Sequence, residues 1–177
     1  MIDGLDILIG TVITGNIVLI HGLGLYALTR YTKTVDGAVR AGLNTVVGML
    51  VGAIILWLLG DIVPTSPTSY LGFYVIVGFV AASAAPYLTR QNTSREYHVV
   101  DTALIGLLLL MAEGGVMGVD HLWYAMGAAF GYFVVLVIVA TIRQRLELAP
   151  IPKALQGTPI VLIIAGLLGL ALLGFRL

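Results

Sequence analysis

The sequence predicts an all-α, polytopic membrane protein. Hydrophobic residues make up 59% of the chain and charged residues 10%, and mean hydropathy is +1.05. Soluble domains carry about 25% charged residues. Six apolar stretches reach or approach the length of about 20 residues that a bilayer-spanning helix needs. The basic residues and most of the prolines fall between those stretches.

The six predicted spans are Leu5–Leu28, Gly42–Leu59, Tyr70–Leu88, Thr102–Val119, Leu122–Ile142 and Thr158–Phe175. Pro64 and Pro67 separate the second from the third, and Pro150 and Pro152 separate the fifth from the sixth; the residue before a proline is pushed out of helical backbone. Pro159 suits the first turn of the sixth. Pro86 is expected to kink or end the third. Asp120 and His121 alone join the fourth to the fifth, which predicts a tight helical hairpin. At 177 residues the expectation is a single transmembrane domain, 1–177, in two halves of roughly 1–90 and 91–177.

The first stretch organises the rest. From Asp6 to Thr29 it has the length of a span, yet Thr11, Thr14, Gly15, Asn16, His21, Gly22 and Gly24 interrupt it. Polar groups in hydrocarbon are costly unless they face protein or a cavity. Irregular backbone is tolerated at membrane depth only where protein or a water-filled cavity shelters it. This predicts a broken helix.

Charge predicts the orientation. Arg30, Lys33 and Arg40 lie between the first and second spans, Arg90 and Arg95 between the third and fourth, and Arg143, Arg145 and Lys153 between the fifth and sixth. Eight of nine basic residues therefore fall on one side, Arg176 being the exception. The positive-inside rule puts those connections in the cytoplasm and both termini outside. The acidic start, MIDGLDIL, lacks the positive charge of a signal peptide. Zero net charge gives no basic surface for nucleic acid, and the absence of cysteine rules out a disulfide or thiolate metal site.

Three spans per half make the second half run opposite to the first, as in inverted repeats. Each half opens on its most irregular segment: Gly15-Asn16 with Gly22 and Gly24 in one, Glu113-Gly114-Gly115 in the other. Interrupted first and fourth helices are expected to meet near the midplane.

Glu113 is the acidic residue placed inside a span, and a candidate proton or ion site; the plainer role is a carboxyl buried neutral or facing a vestibule. His21 is a second candidate for a proton role, although a lone histidine more often serves as a structural donor. Asn16 suits hydrogen bonding to a neighbouring helix. Tyr26 suits the membrane interface or packing. Gly48 with Gly52, and Gly127 with Gly131, have the spacing of close helix packing, within the chain or against a partner; Gly42, Gly166 and Gly169 extend that pattern. No nucleotide loop, zinc motif or nucleophile triad is present. The sequon Asn92-Thr93-Ser94 falls on the predicted cytoplasmic side. The segment Ile142–Pro159 is expected to form a solvated loop.

Four stretches carry a family resemblance: GNIVLIHGLGLY, TKTVDGAVRAGL, EGGVMGVD, and above all ATIRQRLELAPIPKALQGTPIVLIIAGLLGLALLGF at Ala140–Phe175. They resemble the RnfA/NqrE-type membrane subunits of the Rnf and sodium-pumping NADH:quinone oxidoreductase complexes, over nearly the whole chain. The resemblance implies six spans in inverted halves, a location in the inner membrane, and pairing with an RnfE/NqrD-like sister subunit of opposite orientation. It further implies an iron–sulfur cluster held by two cysteines from each of the paired chains. Tyr26 and Gly114 stand at the two cysteine positions, and neither ligates iron as a thiolate does.

The expectation is therefore a non-catalytic or accessory subunit of an electron-transfer or ion-translocating complex. It would have no catalytic residue and no metal of its own, and any iron–sulfur cluster and flavin would sit in partner subunits. Asn16, His21 and Glu113 remain candidates for an ion, proton or interface role, with Tyr26 and Gly114 near the breaks. Two alternatives stay open: a small secondary transporter or channel using Glu113, and a purely structural assembly subunit.

Overall fold

The computed structural model describes residues 4–64, 66–89, 101–116 and 118–174. Arg90, Arg95, Arg176 and the sequon Asn92-Thr93-Ser94 lie outside the described residues. Among those described, all regular secondary structure is helical. Seven α-helices follow in order: α1 Gly4–Val12, α2 Leu25–Tyr31, α3 Val35–Leu58, α4 Pro67–Leu88, α5 Thr102–Glu113, α6 Asp120–Leu146 and α7 Thr158–Leu173. Short 3-10 turns stand at Gly60–Ile62 and Lys153–Leu155.

Three of these are long and apolar enough to cross a bilayer: Val35–Leu58, Ser69–Leu88 and Asp120–Leu146. They contain the predicted second, third and fifth spans. α3 starts at Val35, ahead of the predicted Gly42, because Thr34 caps it: its side chain accepts the Gly37 N–H at 3.1 Å. An N-cap threonine satisfies a helix donor that has no partner inside the helix. α4 carries Pro86 within its last turn and ends at Leu88, where the Thr89 hydroxyl donates to the Ala85 carbonyl at 3.1 Å.

The remaining predicted spans depart from single continuous helices. The first is broken: helix stops at Val12 and resumes at Leu25, with Gly22 and Gly24 at positive φ. The fourth is shorter than expected. α5 has 12 residues, about 18 Å at helical rise, well under the bilayer core of about 30 Å. It ends at Glu113, and a turn with Gly115 and Gly118 at positive φ leads into α6. Asp120 and His121 are thus not the connection but the first turn of α6. Backbone that only glycine adopts readily ends the helix before Val119.

α6 is the spine. α3 packs along it, with Gly42 against Phe133 and Leu136. α1 runs beside its first half in the same direction. A methyl added at Gly127 would stand 2.9 Å from the Leu8 carbonyl oxygen, and one at Gly131 would stand 3.0 Å from Asn16 Nδ2. These glycines let the α1 backbone lie directly on α6, so the Gly-x-x-x-Gly spacing serves packing within the chain. α2 runs beside the second half: Arg143 Nη1 donates to the Thr29 carbonyl at 3.2 Å and to the Thr32 hydroxyl at 3.4 Å. The break between α1 and α2 is therefore level with the middle of α6.

α4 and α5 cover the other face of α3. A methyl at Gly48 would meet Leu104 at 2.5 Å, and one at Gly52 would meet Leu108 at 3.2 Å. The Tyr70 hydroxyl donates to the Ala112 carbonyl at 2.9 Å, tying the start of α4 to the end of α5. α7 lies on the break itself, where a methyl at Gly169 would stand 2.9 Å from the Leu19 carbonyl oxygen. Ile17, Leu28, Met49, Leu107, Met111, Tyr132 and Leu136 are fully buried at the centre.

Candidate functional site at the helix breaks

Asn16 builds the first break. It is buried, its Nδ2 donates to the Val12 carbonyl at 3.0 Å, and its Oδ1 accepts the N–H groups of Val18 and Leu19, both at 3.1 Å. One side chain thus closes the end of α1 and opens the next turn. This satisfies backbone groups that have neither water nor a helix to pair with. The Gly15 N–H reaches back to the Gly10 carbonyl at 2.7 Å, widening the last turn. Ile20, Gly22 and Leu23 bond to Asn16, Val18 and Ile17 carbonyls in a tight irregular coil.

The start of α5 abuts this break. Gly24, at φ 81°, faces the start of α5: a methyl there would stand 3.0 Å from Ala103 Cβ, 3.0 Å from Tyr132 Cε2 and 3.7 Å from Asp101 Oδ1. Asp101 caps α5, its Oδ1 accepting the Ala103 N–H at 3.0 Å. Its Oδ2 accepts the Thr45 hydroxyl at 3.2 Å and the Tyr132 hydroxyl. Tyr132 is fully buried and lies about 18 Å from one end of α6 and about 21 Å from the other. Asp101 is thus a half-buried carboxylate that links α3, α5 and α6, beside the end of α4, where the Thr89 hydroxyl meets Asn44 at 3.3 Å.

Hydropathy alone places Asp101 in the connection between the third and fourth spans and does not single it out. A signal is nevertheless present in the sequence. An aspartate directly before an apolar run is a helix start, and the 12-residue run that follows is too short to span.

The predicted site residues do not converge on one point. Glu113 is the last residue of α5 and is exposed, at the helix end rather than inside the bundle. Gly114 caps that end, its N–H donating to the Leu110 carbonyl at 2.9 Å. Gly15 and Gly114 share the wall of a cleft of about 550 Å³ with Asp6, Thr14, Asp120 and Tyr124. His21 is exposed and lines a separate groove against Leu162 and Ala165 of α7. Tyr26 is also exposed, set edge-on to Tyr31 with ring centroids 6.4 Å apart.

This bears on the cluster that the resemblance implies. Tyr26 lies in the first turn of α2, level with the middle of α6, whereas Gly114 closes α5 at its far end. Iron–sulfur clusters are held by thiolates, and the chain has no cysteine. Among the described residues, no three histidine, aspartate or glutamate side chains are grouped to hold a metal. The residues present do not fit such a cluster.

The fold defines a class: an all-helical protein with three helices long and apolar enough to cross a membrane and a broken first segment packed against the longest of them. Residues 98–177 match the family described as Rnf-Nqr subunit, membrane protein. Over 191 residues the chain is 31% identical to the A component of the ion-translocating oxidoreductase complex of Azoarcus sp. strain BH72, covering 99% of this chain and 97% of the relative. It is 33% identical to the corresponding component of Syntrophotalea carbinolica, covering 96% and 94%. The counterpart from Sodalis glossinidius is 31% identical, covering 97% and 95%. The chain belongs to the Rnf-Nqr family of membrane subunits, in its RnfA/NqrE-type branch.

Proposed function

We propose that this protein is a membrane subunit of an Rnf/Nqr-like ion-translocating oxidoreductase complex and that it acts there without a redox centre of its own. The observation that carries this is near-full-length similarity, at about a third identity, to proteins named as the A component of such a complex. The lack of thiolate ligands supports a role in positioning neighbours and lining an ion path. Any iron–sulfur cluster and flavin then belong to partner subunits.

The arrangement supports six crossings in two inverted halves, with α1–α2 as the first and α5 part of the fourth. The basic residues of the α2–α3 and α6–α7 connections favour the cytoplasmic side of the inner membrane for that end, with both termini outside. A sister chain of RnfE/NqrD type is the expected partner. His21 and Gly22 are exposed although the break is level with the middle of α6, and irregular backbone inside a membrane needs protein or a water-filled cavity around it rather than lipid. His21 and Tyr26 are the proposed contacts of that partner, and Asn16 the brace beneath them. The cleft with Asp6, Asp120 and Gly114, with Glu113 beside it, is the proposed ion-facing mouth; it also favours the second reading, a small transporter.

The test is to purify the tagged chain gently from native membranes, then record visible absorption, iron content and co-purifying proteins. Iron with reducible absorbance and an attached sister chain is the expected result. A colourless, iron-free chain on its own overturns the proposal and puts the transporter reading first.

A further inference from the structure

A cavity of about 230 Å³ lies between the last turn of α6, the connection that follows it and the first turn of α7. Arg143 and Glu147 line it from α6, four residues apart and so on one face of the helix. Leu146, Ile151 and Ile160 line its apolar part. Hydrogen bonds hold the wall. Gln156 Nε2 donates to the Ile151 carbonyl at 2.9 Å and closes the connection on itself. Arg143 Nη1 donates to Thr29 and Thr32 of the neighbouring segment, which anchors the guanidinium and leaves its remaining N–H groups for the cavity.

Two features define what fits. α6 has 27 residues, about 40 Å at helical rise, the thickness of a bilayer with its headgroup layers. Its last turn therefore reaches the level of lipid phosphates. The second feature is an apolar strip that continues from the cavity along α7. Ile160 lines the cavity, and the exposed side chains of Ile163, Leu167 and Leu170 follow at helical spacing. Such a strip suits acyl chains and offers nothing to a free phosphate. Basic pockets at the ends of membrane helices take anionic headgroups. Here a carboxylate stands beside the guanidinium. It repels a headgroup that is only anionic and accepts hydrogen bonds from an ammonium, so it selects as well as binds.

We infer that this cavity holds the phosphoethanolamine headgroup of a phospholipid, with Arg143 on the phosphate, Glu147 on the ammonium, and the acyl chains along Ile163, Leu167 and Leu170 of α7. This inference does not depend on the redox role of the complex.

The test is native mass spectrometry of the complex, washed in detergent and then offered dioleoyl-phosphatidylethanolamine, dioleoyl-phosphatidylcholine or soluble phosphoethanolamine. Wild type is expected to retain one phosphatidylethanolamine per copy of this chain that Glu147→Gln and Arg143→Gln do not retain. Phosphatidylcholine, whose ammonium has no N–H to donate, is expected to occupy that site several-fold less. Equal phosphatidylethanolamine counts in wild type and Glu147→Gln overturn the inference, as does equal retention of the two lipids by wild type. Displacement of the lipid by an equal concentration of soluble phosphoethanolamine also overturns it, since the headgroup alone would then be the ligand. Arg143→Gln loses the bonds to Thr29 and Thr32; should it not assemble, Glu147→Gln decides alone, because Glu147 is exposed and makes no such tie.

Discussion

The Tyr132 hydroxyl donates to the Asp101 carboxylate across 31 residues of sequence, joining the middle of α6, the longest helix described, to the start of α5. A hydrogen bond to a charged group contributes about 1.5–3 kcal/mol. Tyr132→Phe is expected to lower stability by that order, read as a lower midpoint of heat-induced loss of monodisperse protein in detergent. Asp101→Ala should lose more, because the α5 cap goes too and caps are worth about 0.5–2 kcal/mol. Equal midpoints for the two variants would count against the tie.

Asn16 holds three backbone groups at once. Asn16→Ala strands the Val18 and Leu19 donors in the interior, and each stranded group costs about 1–3 kcal/mol. Asn16→Asp retains both acceptors and loses only the donation to Val12. The expected order of folded yield is wild type, then aspartate, then alanine. A variant Asn16→Ala with wild-type yield would show that water or a partner fills the gap.

Gly127 and Gly166 separate two kinds of glycine. Alanine at Gly127 would press on Leu8 backbone at 2.9 Å, which only a shift of α1 relieves. Overpacking of this kind costs about 1–3 kcal/mol. Gly166 has nothing within 4 Å of an added methyl, and alanine there is expected to leave stability unchanged or raise it by up to about 1 kcal/mol through helix propensity. Thermal midpoints of Gly127→Ala and Gly166→Ala should therefore move in different directions or by clearly different amounts.

Gly24 and Gly115 both have positive φ, at 81° and 60°, but differ in surroundings. Alanine at Gly115 meets open space and suffers only the backbone strain of about 1–2 kcal/mol. Alanine at Gly24 suffers that strain and also contacts Ala103 and Tyr132 at 3.0 Å. Gly24→Ala is expected to be the more damaging in any folding assay, and asparagine should rescue Gly115 but not Gly24.

Glu113 is exposed at the end of α5. Glu113→Gln is expected to change stability by no more than about 0.5 kcal/mol, as for other surface positions. A strong loss of stability would mean that a partner or ligand engages the carboxylate. Ion uptake by the same variant, measured in proteoliposomes, would separate that from a role in the mouth of the cleft.

Much of the architecture is legible along the chain. Apolar length marks α3, α4 and α6, since a membrane helix must satisfy its own backbone and cover itself with hydrocarbon. The density of Gly15, Asn16, Gly22 and Gly24 marks the first break, and the spacing of Gly127 and Gly131 marks a close contact. Glu113-Gly114-Gly115 likewise marks the end of α5, while the far bound of the fourth span, Val119, is misplaced because hydropathy averages over a window in which Gly115 and Gly118 turn the backbone. The same averaging hides Asp101, which looks like a loop residue until the helices around it are placed.

By itself, then, the sequence determined the solvent of this protein, its helical class, the location of its first break and the absence of thiolate ligands. Those are properties of composition and local order. Only the tertiary structure decided which carboxylate joins three helices. Glu113 and Asp101 lie at the two ends of the same short helix, and which of them meets neighbouring helices depends on where that helix begins against α3 and α6. That register is decided by the packing of Gly48, Gly52 and Gly24 against Leu104, Leu108 and Tyr132, contacts between residues far apart in the chain that no local pattern encodes.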